Sequence, residues 1–224
     1  MTRLHRTRLL FGDNGIEKLK KSTVMVVGCG AVGSFAIEAL ARTGIGNLII
    51  IDFDSVEESN INRQLFATES TTGISKVDVA ATRIRDINPD INVTALNMFF
   101  DENSNLEVIP DYIIDAIDTV ESKIALYKWA HKKNIPLISS MGAASKTDIS
   151  KIKTARLSKT SVCPLASRIR RMVRDCELPD ILCVYSDEVP APVVGHAKNL
   201  GSIITVTGTF GLMLANWVIR EIIQ

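Results

Sequence analysis

Short apolar runs alternate with stretches of helical periodicity through the first 140 residues. Apolar residues recur every three to four positions at 36–41 and 77–87, and a further helix is predicted around 122–133. Apolar runs of strand length lie at residues 23–27, 48–52, 91–96, 112–115 and 136–140. Such runs are typical of strands buried on both faces of a parallel sheet. The alternation predicts an α/β fold with a Rossmann-like, doubly wound, mostly parallel sheet and helices on both faces.

A glycine-rich loop follows the first predicted strand and opens a helix. Gly28, Gly30 and Gly33 form the pattern G-x-G-x-x-G. The first glycine of this pattern allows a tight turn, the second lets the backbone approach a phosphate, and the third lets the helix pack closely on the strand. Asp52 ends the next strand, where a carboxylate can accept hydrogen bonds from ribose hydroxyls. These residues predict a nucleotide site, and they leave NAD, FAD and ATP open.

Polar side chains beyond Asp52 are candidates for binding phosphate and a metal ion. The stretch N-I-N-R-Q at 60–64 places Arg63 near the carboxyl edge of the sheet, where a guanidinium can clamp phosphate. A solvated turn has the same composition. Lys76 lies in the first turn of a predicted helix, a position that favours a bound anion nearby, although surface lysines also occur there. Asp118 follows a predicted strand and can hold magnesium, cap the next helix, or do both.

The order of these motifs resembles that of the ThiF/MoeB/HesA group of ubiquitin-activating-enzyme-like proteins. The motifs G-x-G-x-x-G, D-x-D, N-x-N-R-Q, G-x-x-K, I-N-P and D-A-I-D follow one another along the chain. The resemblance implies ATP as a substrate, Mg²⁺ held at Asp118, and Arg63, Lys76 and Asp118 as catalytic residues. It implies that ATP is bound by Gly28, Gly30, Gly33, Asp52, Asp54, Asn60, Arg63, Lys76 and Arg8. Arg8 resembles an N-terminal arginine that reaches across a homodimer into the neighbouring site.

Within that group the chain is similar to the branch that dehydrates threonylcarbamoyladenosine in tRNA. Stretches 39–46, 115–123, 157–160 and 180–188 carry the likeness, and the paired C-x-x-C motifs of other branches are missing. The likeness implies that ATP adenylates the threonyl carboxylate of the modified nucleoside, after which ring closure releases AMP. It implies tRNA carrying threonylcarbamoyladenosine as a partner, with a cysteine desulfurase or sulfur-acceptor system as a further candidate. Cys183 is interpreted as a small buried residue, with thioester or persulfide transfer as the alternative.

A basic segment fits a nucleic-acid partner. Residues 149–174 contain eight lysines and arginines and no aspartate or glutamate. If residues 165–175 form a helix, its apolar residues share one face and its four arginines fan over the solvent side. Such a face suits phosphate contacts, which supply affinity without reading sequence. We predict that segment 149–175 contacts tRNA, and an ordinary solvated surface is the alternative.

Length and charge set the remaining expectations. The chain has 224 residues and a formal net charge of +1, so one domain is expected and the surface as a whole does not attract nucleic acid. We predict a single ThiF-type adenylating domain over 1–224, with an N-terminal arm at 1–20 and an apolar C-terminal helix region at 200–222. Glycines and hydroxyl groups interrupt residues 200–219, which favours a buried helix over a membrane span and leaves peripheral membrane contact as an alternative. Scattered cysteines and the lack of a signal-peptide pattern favour the cytoplasm.

Three other functions compete with the dehydratase. An adenylating enzyme for the C-terminus of a ubiquitin-like sulfur-carrier protein would use the same site with a protein partner. An NAD-dependent oxidoreductase explains the glycine loop and Asp52 but gives Arg63, Lys76 and Asp118 no role. A non-catalytic ATP sensor would keep the whole site and would lack turnover.

Overall fold

The sheet has the predicted α/β organisation. The computed structural model describes residues 2–192 and 200–224, and within them seven strands form one sheet in the order β3-β2-β1-β4-β5-β7-β6. The strands are β1 (Thr23–Val27), β2 (Asn47–Asp52), β3 (Asn92–Asn97), β4 (Tyr112–Asp115), β5 (Leu137–Ser140), β6 (Ile152–Arg156) and β7 (Leu182–Ser186). Strands β1 to β5 and β7 pair in parallel, and β6 pairs with β7 in antiparallel orientation.

Helices cover both faces of the sheet. They are α1 (His5–Lys21), α2 (Gly33–Thr43), α3 (Lys76–Ile87), α4 (Val120–Lys132), α5 (Pro164–Met172) and α6 (Ile204–Ile223). Successive side chains of a strand point to opposite faces. Val24 and Val26 of β1 therefore pack with α2, α3 and α6, whereas Met25 and Val27 pack with α4. This two-sided burial explains why the central strands read as unbroken apolar runs.

The N-terminal region differs from the predicted arm. Residues His5–Lys21 form α1, which is interrupted at Gly12, where φ is +69°. Ile16 and Leu19 are fully buried, and the Lys18 ammonium donates a hydrogen bond to the Ile223 carbonyl oxygen over 3.3 Å. Helix α1 therefore occupies most of the segment predicted as an N-terminal arm at 1–20, and its second half packs into the core.

Two strands are absent from the predicted set. β6 is an edge strand with mostly exposed side chains, so it lacks the apolar run that marks the central strands. β7 is buried along most of its length, but it lies between loops rather than between helices. Both strands extend the sheet beyond β5 and carry the basic segment onto its outer edge.

The C-terminal region forms the buried helix that was predicted. α6 packs along α2, and Val206, Phe210 and Leu214 are fully buried between the helix and the sheet. Gly211 lies against Val32 and Phe35 of the facing segment. Across residues 2–192 and 200–224, no helix is both long and apolar enough to cross a membrane.

Candidate functional site

The glycine loop connects β1 to α2 in the geometry that its pattern predicts. Gly28 has φ of +96°, and a Cβ atom there would lie 2.6 Å from the Ala116 carbonyl oxygen. A Cβ atom on Gly33 would lie 1.7 Å from the Gly28 carbonyl oxygen, so only glycine allows α2 to start this close to the loop. Gly28 and Gly30 line a cavity, whereas Gly33 lies behind the loop and supports it.

The cavity lies at the carboxyl edge of the parallel strands, where open α/β sheets bind ligands. Its volume is about 480 Å³, within the range of small-molecule sites. Its wall includes most of the predicted site residues, namely Gly28, Gly30, Asp52, Asp54, Arg63, Lys76 and Asp118. Residues 90 positions apart in the sequence, Gly28 and Asp118, therefore meet in one cavity.

Asp52 is buried at the end of β2 and anchors the glycine loop. Its Oδ2 accepts a hydrogen bond from the Cys29 backbone N–H over 2.6 Å, and its Oδ1 accepts one from the Asp54 N–H over 2.9 Å. A carboxylate has about four lone-pair positions, so acceptor capacity remains on the cavity side. Asp52 can therefore hold the loop and accept ribose hydroxyls at the same time.

Lys76 is held in the cavity wall by an acidic partner. Its ammonium lies 2.7 Å from Asp54 Oδ2, and its backbone N–H donates to the Asp54 carbonyl oxygen over 2.9 Å. Lys76 is only 8% exposed, while the Asp54 side chain is 46% exposed. Because Lys76 begins α3, its charge and the positive end of the helix dipole act together on the cavity.

Asn60 shapes the loop that carries Arg63. The Asn60 side-chain oxygen accepts a hydrogen bond from the Glu57 N–H over 3.2 Å. The Asn60 backbone carbonyl oxygen accepts from the backbone N–H groups of Arg63 and Gln64. The Arg63 guanidinium donates to the Ser59 carbonyl oxygen over 2.7 Å. Arg63 lines the cavity. Asn60 is buried inside the turn and is not among the residues that line the cavity.

Asp118 is exposed on the loop that follows β4. Helix α4 begins at Val120 with Thr119 as its N-cap residue, so the alternative in which Asp118 caps this helix was wrong. The Thr119 hydroxyl donates a hydrogen bond to its carboxylate over 3.4 Å. Among the described residues there is no cluster of three or more His, Cys, Asp or Glu side chains that could hold a metal. A single carboxylate still fits Mg²⁺, which commonly takes one or two carboxylates together with phosphate oxygens and water.

Arg8 lies far from this cavity within one chain. It is exposed on α1 and forms an ion pair with Asp13. It lines a separate groove with Arg3 and Lys20, beside the amino end of β2 at Asn47. The amino and carboxyl ends of parallel strands lie at opposite edges of the sheet, so Arg8 does not contribute to the cavity of its own chain.

Part of the cavity wall was missed by the sequence patterns. Phe53 and Phe99 lie at its rim as an edge-to-face pair, with ring centroids 5.0 Å apart. Each follows the carboxyl end of a strand, a signal that could have indicated them. Residues 140–144 after β5 and residues near the start of α6 complete the wall. No motif marks this second group, because it enters the site only through tertiary packing.

The basic segment lies next to the cavity, with a different surface from the one predicted. Leu165 at the start of α5 lines the cavity, and Arg168 on the following turn lies 3.0 Å from the Glu121 carboxylate. Arg170 is half-buried and donates to the Leu157 and Thr160 carbonyl oxygens, so the prediction that all four arginines face solvent was wrong. Arg171 and Arg174 are exposed.

The cysteines are free, and three of them are buried. The Cys183 thiol in β7 donates to the Ala155 carbonyl oxygen over 3.2 Å, and burial raises the pKa of this thiol to about 12. Burial, followed by the nearby Asp52 carboxylate, raises the pKa of Cys29 well above its usual value. Such thiols are poor nucleophiles because the thiolate is the reactive form. Cys183 lies outside the cavity lining.

Comparison with known proteins identifies the family of the chain and its similar relatives. The ThiF family pattern matches residues 4–224. The tRNA threonylcarbamoyladenosine dehydratase of Bacillus subtilis (strain 168) is 47% identical over 189 residues, which cover 83% of this chain and 74% of that protein. The Escherichia coli (strain K12) dehydratase is 32% identical over 244 residues, covering 96% and 91%. The crystal structure of the E. coli dehydratase TcdA in complex with ATP matches with a TM-score of 0.92 at 34% identity, covering 98% of this chain and 93% of that chain.

Proposed function

The chain belongs to the ThiF family, and from this premise we propose that it is an ATP-dependent tRNA threonylcarbamoyladenosine dehydratase. In this function it adenylates the threonyl carboxylate of the modified nucleoside, closes the nucleoside to its cyclic form and releases AMP. One observation carries the proposal. A single cavity brings together the glycine loop, Asp52, Lys76 and Asp118, in a chain that resembles dehydratases of that name over nearly its whole length.

The cavity wall supplies separate contacts for the ribose and the phosphates of ATP. Asp52 accepts hydrogen bonds from the ribose hydroxyls, and the start of α2 presents backbone N–H groups to the phosphates. Lys76, which also lines the cavity, neutralises phosphate charge. Arg63 now donates to groups of its own loop, so its guanidinium can turn toward phosphate by exchanging hydrogen bonds near the surface.

Bound in this way, ATP presents its α-phosphorus to the carboxylate of the substrate. The carboxylate oxygen attacks that phosphorus, the bond to the β-phosphate breaks, and pyrophosphate leaves. Lys76 and Arg63 stabilise the negative charge that builds up on the phosphate oxygens. An N–H group of the same modification then attacks the activated carbonyl and gives up its proton to solvent, and AMP leaves with one carboxylate oxygen. The nucleoside loses the mass of one water molecule.

Asp118 supplies the carboxylate for Mg²⁺ in this proposal. Its exposed side chain lies in the cavity wall on the loop after β4, within the part of the site where phosphates would extend from the glycine loop. Mg²⁺ held by Asp118 would neutralise phosphate charge and act as a Lewis acid on the phosphate oxygens.

The substrate is presented by tRNA in this proposal, and the basic segment supports it. Leu165 of α5 lines the cavity. Arg168, Arg171 and Arg174 follow it in the chain and are exposed. Phosphate contacts by such residues position a nucleic acid without reading its sequence. The modified nucleoside can then reach the cavity while the tRNA backbone rests on α5.

A homodimer completes the site in this proposal. Leu9 and Leu10 expose 69% and 74% of their surface next to Arg8 on α1, which supports an apolar contact between α1 and a second copy.

Ring closure uses no cysteine, so neither the buried Cys183 nor a sulfur-transfer partner has a role in it.

The test is ATP turnover to AMP by the purified protein in the presence of tRNA. We expect AMP release with tRNA that carries threonylcarbamoyladenosine and none with unmodified tRNA, together with loss of one water from the mass of the modified nucleoside. Pyrophosphate should appear in equal amount. If neither tRNA stimulates AMP release, the carboxylate substrate belongs to another molecule, and the C-terminus of a ubiquitin-like sulfur carrier is the next to be tested.

A further inference from the structure

A buried polar network lies behind the cavity, between the carboxyl ends of β4 and β5. Asp115 and Lys123 are both fully buried, and the Lys123 ammonium lies 2.7 Å from Asp115 Oδ2. The ammonium also donates to the Ser140 carbonyl oxygen over 2.8 Å and lies 3.3 Å from the Ser139 hydroxyl. The hydroxyl groups of Tyr127 and Ser139 are 2.7 Å apart. All three donors of the ammonium therefore have acceptors.

Stability alone does not account for such a pair. Removing two charges from water is costly, and apolar side chains of similar volume often stabilise a protein as well or better. Apolar side chains lie on the same face of the sheet, since Ile113 of β4 and Leu126 of α4 are fully buried there. A lysine and an aspartate at these positions therefore suggest that the network has a task beyond filling space.

Both ends of the network reach the cavity wall. At one end, Asp115 Oδ1 accepts a hydrogen bond from the Ile117 N–H over 3.1 Å. This bond shapes the loop 116–118, whose residues all line the cavity. At the other end, Lys123 donates a hydrogen bond to the carbonyl oxygen of Ser140, which ends the neighbouring strand β5 and begins the wall segment 140–144. The ion pair therefore connects the loop that bears Asp118 to the adjacent segment of the cavity wall.

We propose that Lys123 and Asp115 are positioning residues that fix the loop of Asp118 against the Ser140 wall, so that the Asp118 carboxylate meets the metal bound to the phosphates of ATP. This inference rests on the proposed function, because it takes Mg²⁺ and ATP as ligands of the cavity. It assigns a role to side chains that touch neither ligand. Partners that orient a metal ligand in this way typically change metal affinity or activity by about 10–100-fold when they are removed.

The test measures binding rather than turnover. ATP is titrated calorimetrically into the wild-type protein and into Lys123→Met, with and without Mg²⁺, and the quantity of interest is the ratio of the two affinities. Lys123→Met keeps the length of the side chain and removes its charge. We expect this ratio to fall by about 10-fold or more in Lys123→Met, with little change in the affinity for ATP alone.

Tyr127→Phe is the matched control. Tyr127 is buried in the same network, but its hydroxyl contacts Ser139 and reaches neither Ile117 nor Ser140. Both variants should lower the denaturation temperature, since each removes a buried hydrogen bond. If the network is purely structural, both variants should change the ratio of the ATP affinities with and without Mg²⁺ to the same extent. The proposed role predicts that Tyr127→Phe retains the wild-type ratio.

A second variant covers the case in which Lys123→Met fails to fold because Asp115 is left unpaired. The double variant Asp115→Asn and Lys123→Met removes both charges and keeps an oxygen for the Ile117 N–H, so it should fold. This variant still lacks the hydrogen bond from Lys123 to the Ser140 carbonyl oxygen. The ratio of the ATP affinities with and without Mg²⁺ should therefore still be reduced. A folded variant with the wild-type Mg²⁺ effect would overturn the inference.

Measurements on the wild-type protein distinguish failure of the proposed reaction from failure of the positioning role. If Mg²⁺ strengthens ATP binding by the wild type but no AMP forms with modified tRNA, the proposed reaction fails and the positioning role is still decided by the variants. If the wild type shows no effect of Mg²⁺ on ATP binding, the positioning role and the Asp118 assignment fall together.

Discussion

Replacing Lys76 by methionine removes a buried positive charge from the cavity wall. The ammonium is 2.7 Å from Asp54 and almost wholly buried, so methionine keeps the packing of the stem and removes only the cation. The fold should tolerate the change. Asp54 is nearly half exposed, and breaking an ion pair with an exposed partner costs at most about 1 kcal/mol.

The effect on catalysis should be much larger than the effect on stability. A unit charge about 4 Å from a phosphate oxygen contributes about 4 kcal/mol at an effective dielectric constant near 20. Removing one preorganised electrostatic contact in other enzymes costs about 2.7–4 kcal/mol. At about 1.36 kcal/mol per tenfold change in rate, both estimates predict that AMP formation slows by about 100- to 1000-fold.

The assay is AMP release under saturating modified tRNA, with circular dichroism melting as the test of folding. Arg83→Met is the control, because Arg83 lies on the same helix α3 and forms an ion pair of similar length with Glu38, 2.9 Å away and outside the cavity. We expect Arg83→Met to turn over like the wild type. If folded Lys76→Met also turns over like the wild type, the assignment of Lys76 to the phosphates is refuted.

Three further predictions test separate features. Gly33→Ala places a Cβ atom 1.7 Å from the Gly28 carbonyl oxygen, so urea denaturation should show a loss of about 1–3 kcal/mol or more, and wild-type stability would contradict the packing described. Burial raises the Cys183 pKa to about 12, so the thiol stays neutral below that pH. Peptide mapping should therefore find Cys183 unmodified by iodoacetamide at about pH 8 in the native protein and modified after unfolding. Cys183→Ala should retain turnover. Arg171→Ala with Arg174→Ala should weaken binding of modified and unmodified tRNA equally and lower the slope of log K against log salt by about 1–2; an unchanged slope would remove α5 from the tRNA surface.

Several parts of the fold could be predicted from the sequence because they depend on local pattern. Central parallel strands are buried on both faces, so they appear as apolar runs wherever the chain enters them. The glycine loop is equally local, since a left-handed turn at Gly28 and close packing at Gly33 both require the same residue type. Asp52 follows from its place at the end of the next strand. These features identified the α/β fold and the nucleotide site.

Other parts of the site depend on contacts between distant residues. The edge strand β6 has no apolar run, because one side of it faces solvent. The inward hydrogen bonds of Arg170 require Leu157 and Thr160, which a helical wheel does not contain. The same holds for Arg8, whose distance from the cavity follows from the direction of the strands rather than from its motif.

The ion pair of Asp115 and Lys123 shows the division between sequence and structure. The sequence by itself determined that the chain would form a parallel sheet with a phosphate-binding loop and a carboxylate beside it, because backbone geometry and burial restrict residue type at each of those positions. Only the tertiary structure decided that Lys123 reaches across to Ser140 and that the walls of the cavity are tied together. Burying a charge is favourable only where every partner is already in place, and the strand order that brings those partners together appears in no local pattern.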